Sequence, residues 1–160
     1  MSLEKVRAYL DQYHMGSRIQ VLELSSATVA LAAQALHTQE ERIAKTLSFR
    51  GNEGPILLVA AGDARIDNGK FKVAFGLKAS MLSPEEAVEQ IGHAVGGVCP
   101  FAVENPAVSI WLDVSLKRFQ TVFPACGSGN SAIEMTLDEL SLTSKSKGWV
   151  DVCKGWQAEG

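Results

Sequence analysis

ERIAKTLSFRGNEGPILLVAAG, residues 41 to 62, sets two apolar runs on either side of GNEG. The first carries Ile43, Thr46 and Phe49, residue types enriched in strands, and the second is almost entirely apolar, so the pair reads as a β-hairpin. Lys45 interrupts the first run. Strict alternation puts it on one face with Ile43 and Leu47, which turns a cation toward the interior or a cleft. Two readings follow: an edge-strand lysine that wards off aggregation, or a cation placed to hold a phosphate or an anionic transition state.

Helices and short strands alternate on both sides of this hairpin. LEKVRAYLDQY places Leu3, Val6, Leu10 and Tyr13 at helical spacing, and IQVLEL after it reads as a short strand. SSATVALAAQALH is a small-residue helix with Ser25 or Ser26 as its cap. ARIDNGKFKVAFGLK admits a tight Asn68-Gly69 hairpin or a short helix ending at Gly76. SPEEAVEQIG is a helix capped by Ser83, with Pro84 in its first turn, Glu86 completing a capping box and Gly92 ending it. AVSIWLDV, TVFPAC and SAIEM read as strands, TLDELS as a short capped helix, and WVDVC as a closing strand. The pattern predicts one compact α/β domain of mixed α+β type over residues 1–160. About seven strands would form a mixed or barrel-like sheet with helices around it.

The chain has 160 residues, 46% apolar and 21% charged, the proportions of an ordinary globular domain. No apolar run approaches the ~18 residues of a membrane span, and the N-terminal stretch lacks the apolar core of a secretory signal. A net charge of −3 excludes the broad basic footprint of general DNA or RNA binding, but not a polynucleotide gripped at one end. Cys99, Cys126 and Cys153 form no CxxC and leave one thiol over in any pairing, so we expect reduced cysteines in a cytoplasmic protein. No His, Cys and carboxylate cluster has ligand spacing, and no GxGxxG or Walker loop occurs, so no metal or other cofactor is expected. No unusually apolar stretch asks for a second copy, which makes a monomer the default.

GHAVGGVCPFA, residues 92 to 102, suits neither a strand nor a helix, since it carries three glycines and a proline. Gly96, Gly97, Val98, Cys99 and Pro100 form a tight turn or present consecutive N–H groups to a carbonyl oxygen or phosphate. Cys99 is either a packed thiol or a nucleophile served by His93. Asp113 orients a substrate group or caps the turn after its strand. CGSGN, with Gly127, Ser128 and Gly129, is a second glycine-bearing loop: a hairpin turn with Gly at positive φ, or one wall of a cleft shared with the first loop and Lys45.

The ordered set of AKTLSF, the GGVCPF loop with its GxxxP spacing, and WLDVSL followed by ACGSGN resembles the YbaK/ProX family. This is the aminoacyl-tRNA editing domain that also occurs inside bacterial prolyl-tRNA synthetases. The resemblance covers nearly the whole chain. It implies an ester hydrolase that removes a wrong small amino acid, such as Cys, Ala, Ser or Thr, from tRNA. It also implies that Lys45 is required, lying near the terminal adenosine and its phosphate. The Gly96–Pro100 backbone would then approach the aminoacyl carbonyl, with His93, Phe101, Asp113 and the 127–129 loop around the substrate. Water or a substrate group attacks in that account, and Cys99 is a wall residue. The implied partners are the acceptor end of aminoacyl-tRNA and an aminoacyl-tRNA synthetase; Lys70, Lys72 and Lys78 either grip that end or are solvated surface. Many relatives have Gly where this chain has Ala102, and an aromatic residue where it has His93. Two other readings stand beside the deacylase: a non-catalytic module that binds a tRNA end or a synthetase, and a hydrolase dependent on Cys99.

Overall fold

The computed structural model describes residues 2–157. In chain order it contains α1 (Ser2–Asp11), β1 (Gln20–Val21), α2 (Val29–Leu36), β2 (Ile43–Phe49), β3 (Ile56–Ala61) and β4 (Arg65–Ile66). There follow α3 (Asn68–Phe75), α4 (Pro84–Gln90), β5 (Ser109–Asp113), β6 (Thr121–Pro124) and β7 (Ser131–Ala132). The chain continues with β8 (Met135–Thr136), α5 (Leu137–Ser144), β9 (Trp149–Val150) and β10 (Cys153–Lys154).

The hairpin forms as expected, with β2 and β3 antiparallel from Ala44↔Ala61 to Phe49↔Ile56. It is the centre of a mixed six-stranded sheet in the order β8-β6-β2-β3-β5-β9, which stays open at β8 and β9. Parallel pairing joins β6 to β2, and β5 to β3 and β9. Every residue of β3 is buried, which fits a run without polar alternation covered on both faces. The main core gathers Val6 and Leu10 of α1, Phe71 of α3 and Leu140 of α5 with Leu58, Leu112 and Val122 of the sheet. Two smaller clusters lie under α2 and α4: Ala32, Ala33, Ile43 and Phe123 in one, Leu57, Leu82, Ile91 and Ile110 in the other.

Several local expectations need correction. α2 starts at Val29 under a Thr28 cap, whose Oγ1 accepts from Leu31 N at 3.2 Å. Neither Ser25 nor Ser26 caps it, because both are drawn to the 127–130 loop: Ser26 N donates to Gly129 O at 2.7 Å, and Ser25 Oγ to the same carbonyl at 3.4 Å. Residues 68–75 take the helical alternative, capped by Asp67 and ended by Gly76 at φ 77°. IQVLEL contributes only the two residues of β1, and SAIEM and WVDVC each divide into two short strands. The α4 expectations hold in detail, since the Ser83–Glu86 capping box is complete in both directions.

One irregularity in the sheet bears on the site. β6 pairs with β2 only at Ile43 and Ala44. At the other end of β2, Leu82 N donates to Ser48 O at 3.0 Å and Arg50 N to Ser80 O at 2.8 Å, around the Phe49↔Met81 bridge. Main-chain groups of residues two apart point the same way on a strand. The N–H and C=O of Thr46 therefore point toward this outer edge, between the two paired stretches. Among the described residues no main-chain group bonds them there.

Candidate functional site

A cavity of about 470 Å³ opens on this gap. Residues 43–48 of β2 form its floor, and consecutive residues line it because the strand edge faces it as well as one strand face. α2 closes one side with Val29 and Ala32, and α4 with its lead-in closes another through Leu82, Pro84 and Ala87. Val95, Gly96 and Val98 come from the glycine loop, while Phe123, Ala125 and Ser131 come from β6 and the chain after it. The size lies within the range of small-molecule sites, and the lining is mainly apolar with a few polar groups, as such sites are.

Lys45 is the one ionisable side chain among the lining residues described. Its ammonium donates to the carbonyls of Ala64 and, at 3.4 Å, Gly62, in the turn after β3. Burial pushes the Lys45 pKa down, partly offset by the nearby Cys153 and Asp63. Two lining hydroxyls, Ser26 Oγ and Thr46 Oγ1, are buried without a hydrogen-bond partner among the described residues. An unmade buried hydrogen bond costs about 1–3 kcal/mol, so such groups gain from a ligand that supplies the bond. The sequence reading passed over both, and the only signal was the adjacency of Thr46 to Lys45.

The two glycine-bearing loops meet, backbone to backbone. A Cβ on Gly97 would lie 2.5 Å from Gly127 C and 2.6 Å from Ser128 N, so only glycine fits there. Gly96, at φ 94°, stands over Ala27, with 3.2 Å left for an added Cβ. Gly129 also packs toward Ala27, and Ser128 Oγ donates to Ser131 Oγ at 2.6 Å. Of the GxxxP residues, Gly96 and Val98 face the cavity, whereas Gly97 holds the other loop. Pro100 lies on a separate, smaller depression with Ala102 and Ser144.

The remaining candidates sit outside the cavity wall. Cys99 is fully buried behind the loop, with Sγ 3.5 Å from His93 Nε2. Burial pushes its thiol up to about 12, which leaves almost no thiolate near neutral pH. The placement of Cys99 differs from the wall position expected of it and gives a nucleophile no access to a ligand in the cavity. His93 is buried too: Nε2 donates to Phe101 O at 2.8 Å, so Nδ1 accepts from Ser2 Oγ. This ties both ends of the 92–102 loop to the start of α1. Phe101 is a core side chain. Asp113 is fully buried and accepts from Ser115 N and Val152 N, both at 2.9 Å, so the capping alternative is the one seen. Lys70 pairs with Asp151 at 3.0 Å, and neither it, Lys72 nor Lys78 lines the cavity. No group of three or more His, Cys, Asp or Glu that could hold a metal ion occurs among the described residues. No helix among them is long and apolar enough to cross a membrane.

Comparison with known proteins places this architecture. Residues 24–141 match the aminoacyl-tRNA editing domain. The chain is 56% identical over 158 residues to the uncharacterized protein YwhH of Bacillus subtilis, covering 98% of this chain and all of that one. It is 31% identical over 91 residues to the proline–tRNA ligase of Thermosipho melanesiensis, a match spanning 56% of this chain and only 16% of the ligase. The crystal structure of a candidate trans-editing enzyme for prolyl-tRNA synthetase superposes with a TM-score of 0.86 at 30% identity, over 96% of this chain and 98% of that one. The mixed sheet thus stands in a known setting, and the chain belongs to the aminoacyl-tRNA editing domain family.

Proposed function

We propose that this protein is a trans-editing hydrolase that deacylates mischarged aminoacyl-tRNA carrying a small amino acid such as Cys, Ala, Ser or Thr. The observation that carries the reading is the cavity itself: a mainly apolar chamber whose ionisable lining, among the described residues, is Lys45 alone, beside the Gly96–Val98 backbone. The acceptor end of tRNA enters, the loop backbone steadies the ester carbonyl, and Lys45 supplies positive charge nearby. Water attacks the carbonyl carbon and the bond to the ribose oxygen breaks. The ribose oxygen takes a proton, and the amino acid leaves as its carboxylate. Among the described residues no lining cysteine, histidine or carboxylate stands ready to form a covalent intermediate, which fits direct attack by water or by a substrate hydroxyl.

The test is a panel of Cys-, Ala-, Ser- and Thr-charged tRNAs incubated with the protein and with Lys45→Ala. Loss of one or two species, reduced about 100-fold or more in the folded variant, is expected for an electrostatic role of this kind. Full activity of Lys45→Ala would remove the lysine from the mechanism. One observation favours a second reading, a non-catalytic module that binds a tRNA end. The Lys45 ammonium is held by the Ala64 and Gly62 carbonyls, neither of which lines the cavity. Saturable binding of the charged tRNAs without turnover is its signature.

A further inference from the structure

We propose that the gap in the outer edge of β2 is the subsite for the aminoacyl group, which pairs with the main chain of Thr46 as a one-residue strand. The inference rests on the deacylase reading and names how that site holds its substrate. Three observations carry it. The outer edge of β2 is occupied by β6 at Ile43 and Ala44, and by residues 80–82 from Ser48 onward. Between them the N–H and C=O of Thr46 face outward with no main-chain partner among the described residues. Thr46 lines the cavity, and its buried Oγ1 also has no partner among the described residues.

The vacant stretch is one residue long, and the aminoacyl end of tRNA is one residue. Its α-ammonium and carbonyl oxygen lie on one side of an extended unit, as in any strand residue, and so match the C=O and N–H of a facing residue. The α-ammonium donates to Thr46 C=O, and the ester carbonyl accepts from Thr46 N–H, leaving its second lone pair for the Gly96–Val98 backbone. Directly opposed strand residues put their side chains on the same face. The side chain of the bound amino acid therefore lies beside that of Thr46. Main-chain pairing gives affinity independent of the amino acid, the division of labour seen whenever a peptide adds to a sheet edge. Adenosine alone, or an acyl group without the amine, lacks the donor that the pairing needs.

The experiment uses ¹⁵N-labelled full-length protein and two amide-linked analogues that resist hydrolysis: 3′-alanylamido-3′-deoxyadenosine and its propionyl counterpart, which lacks the α-amino group. Saturation with the alanyl compound is expected to shift the Thr46 amide resonance and to slow its hydrogen exchange. The propionyl compound is expected to bind about 10-fold or more weakly, the worth of one hydrogen bond to a charged group. An unmoved Thr46 amide at saturation, or equal affinity of the two compounds, overturns the proposal. Thr46→Pro removes the outward N–H from a position without a ladder partner, where proline is compatible with a strand. It should fold yet lose about 100-fold in deacylation, as loss of one carbonyl donor does elsewhere. Full activity in folded Thr46→Pro is equally fatal, and the wild-type titration decides the matter if that variant does not fold. Turnover of charged tRNA with the Thr46 amide unmoved sinks this proposal alone. A shifted Thr46 amide without any turnover upholds the subsite and sinks the deacylase.

Discussion

Ala102 adopts φ 57°, in the left-handed region that favours glycine. A non-glycine residue there carries about 1–2 kcal/mol of strain. Glycine would relieve it but make the unfolded chain about 0.4–1 kcal/mol more favourable through entropy. The first effect is the larger, so Ala102→Gly should stabilise the protein by about 0.5–1 kcal/mol, read as a higher urea midpoint at unchanged slope. Single residues were unevenly legible. Lys45 stood out because a cation inside a strand is conspicuous. Gly96 and Gly97 stood out because two adjacent glycines demand a reason, although which of them faces the cavity and which faces Gly127 depends on packing far apart in sequence. Thr46 was invisible, because threonine in a strand is ordinary and what singles it out is a missing neighbour.

Among the elements, those written into a few consecutive residues were the readable ones. The α4 cap depends on Ser83 and Glu86 three residues apart, and no distant contact overrides it. The start of α2 was misread because the 127–130 loop, a hundred residues away, takes the two serines. Two-residue strands such as β7 and β10 exist only through their partners, β1 and β4, and carry no periodicity to detect. The 92–102 loop likewise owes its shape to a tether, His93, and this gives it a pH dependence. Burial first of all, helped by the positive charge of Lys5, holds the His93 pKa below its usual 6.5, against the opposing bond to Phe101 O. The unfolded chain then takes up the proton more readily than the folded one, and stability falls as pH drops below about 6.5. Wild-type Tm is expected to decline between about pH 7 and 5.5, above the range in which most carboxylates titrate. His93→Gln should flatten that decline, and an equal slope in both proteins would remove His93 as its cause.

For the molecule as a whole, a mixed sheet surrounded by helices was legible, whereas its strand order was not. Parallel neighbours such as β3 and β5 are separated by β4, two helices and a long loop, and nothing local announces that they pair. Asp113 shows how the far end is fastened: it is buried at the end of β5 and accepts from the main chain of Val152, between β9 and β10. Asp113→Ala would leave the N–H groups of Ser115 and Val152 buried and unbonded. At about 1–3 kcal/mol each, a loss of about 2–5 kcal/mol is expected by urea unfolding, and a change below about 1 kcal/mol would show that water or another acceptor replaces the carboxylate. The short opening beside Thr46 has a consequence beyond chemistry. Exposed strand edges invite neighbouring molecules to polymerise along them. This one is bounded by Pro124, which has no N–H to lend, and by the 80–82 segment, so a foreign strand finds no room to lengthen. A break sized for one residue leaves the sheet an open edge too short for fibre growth to propagate along it.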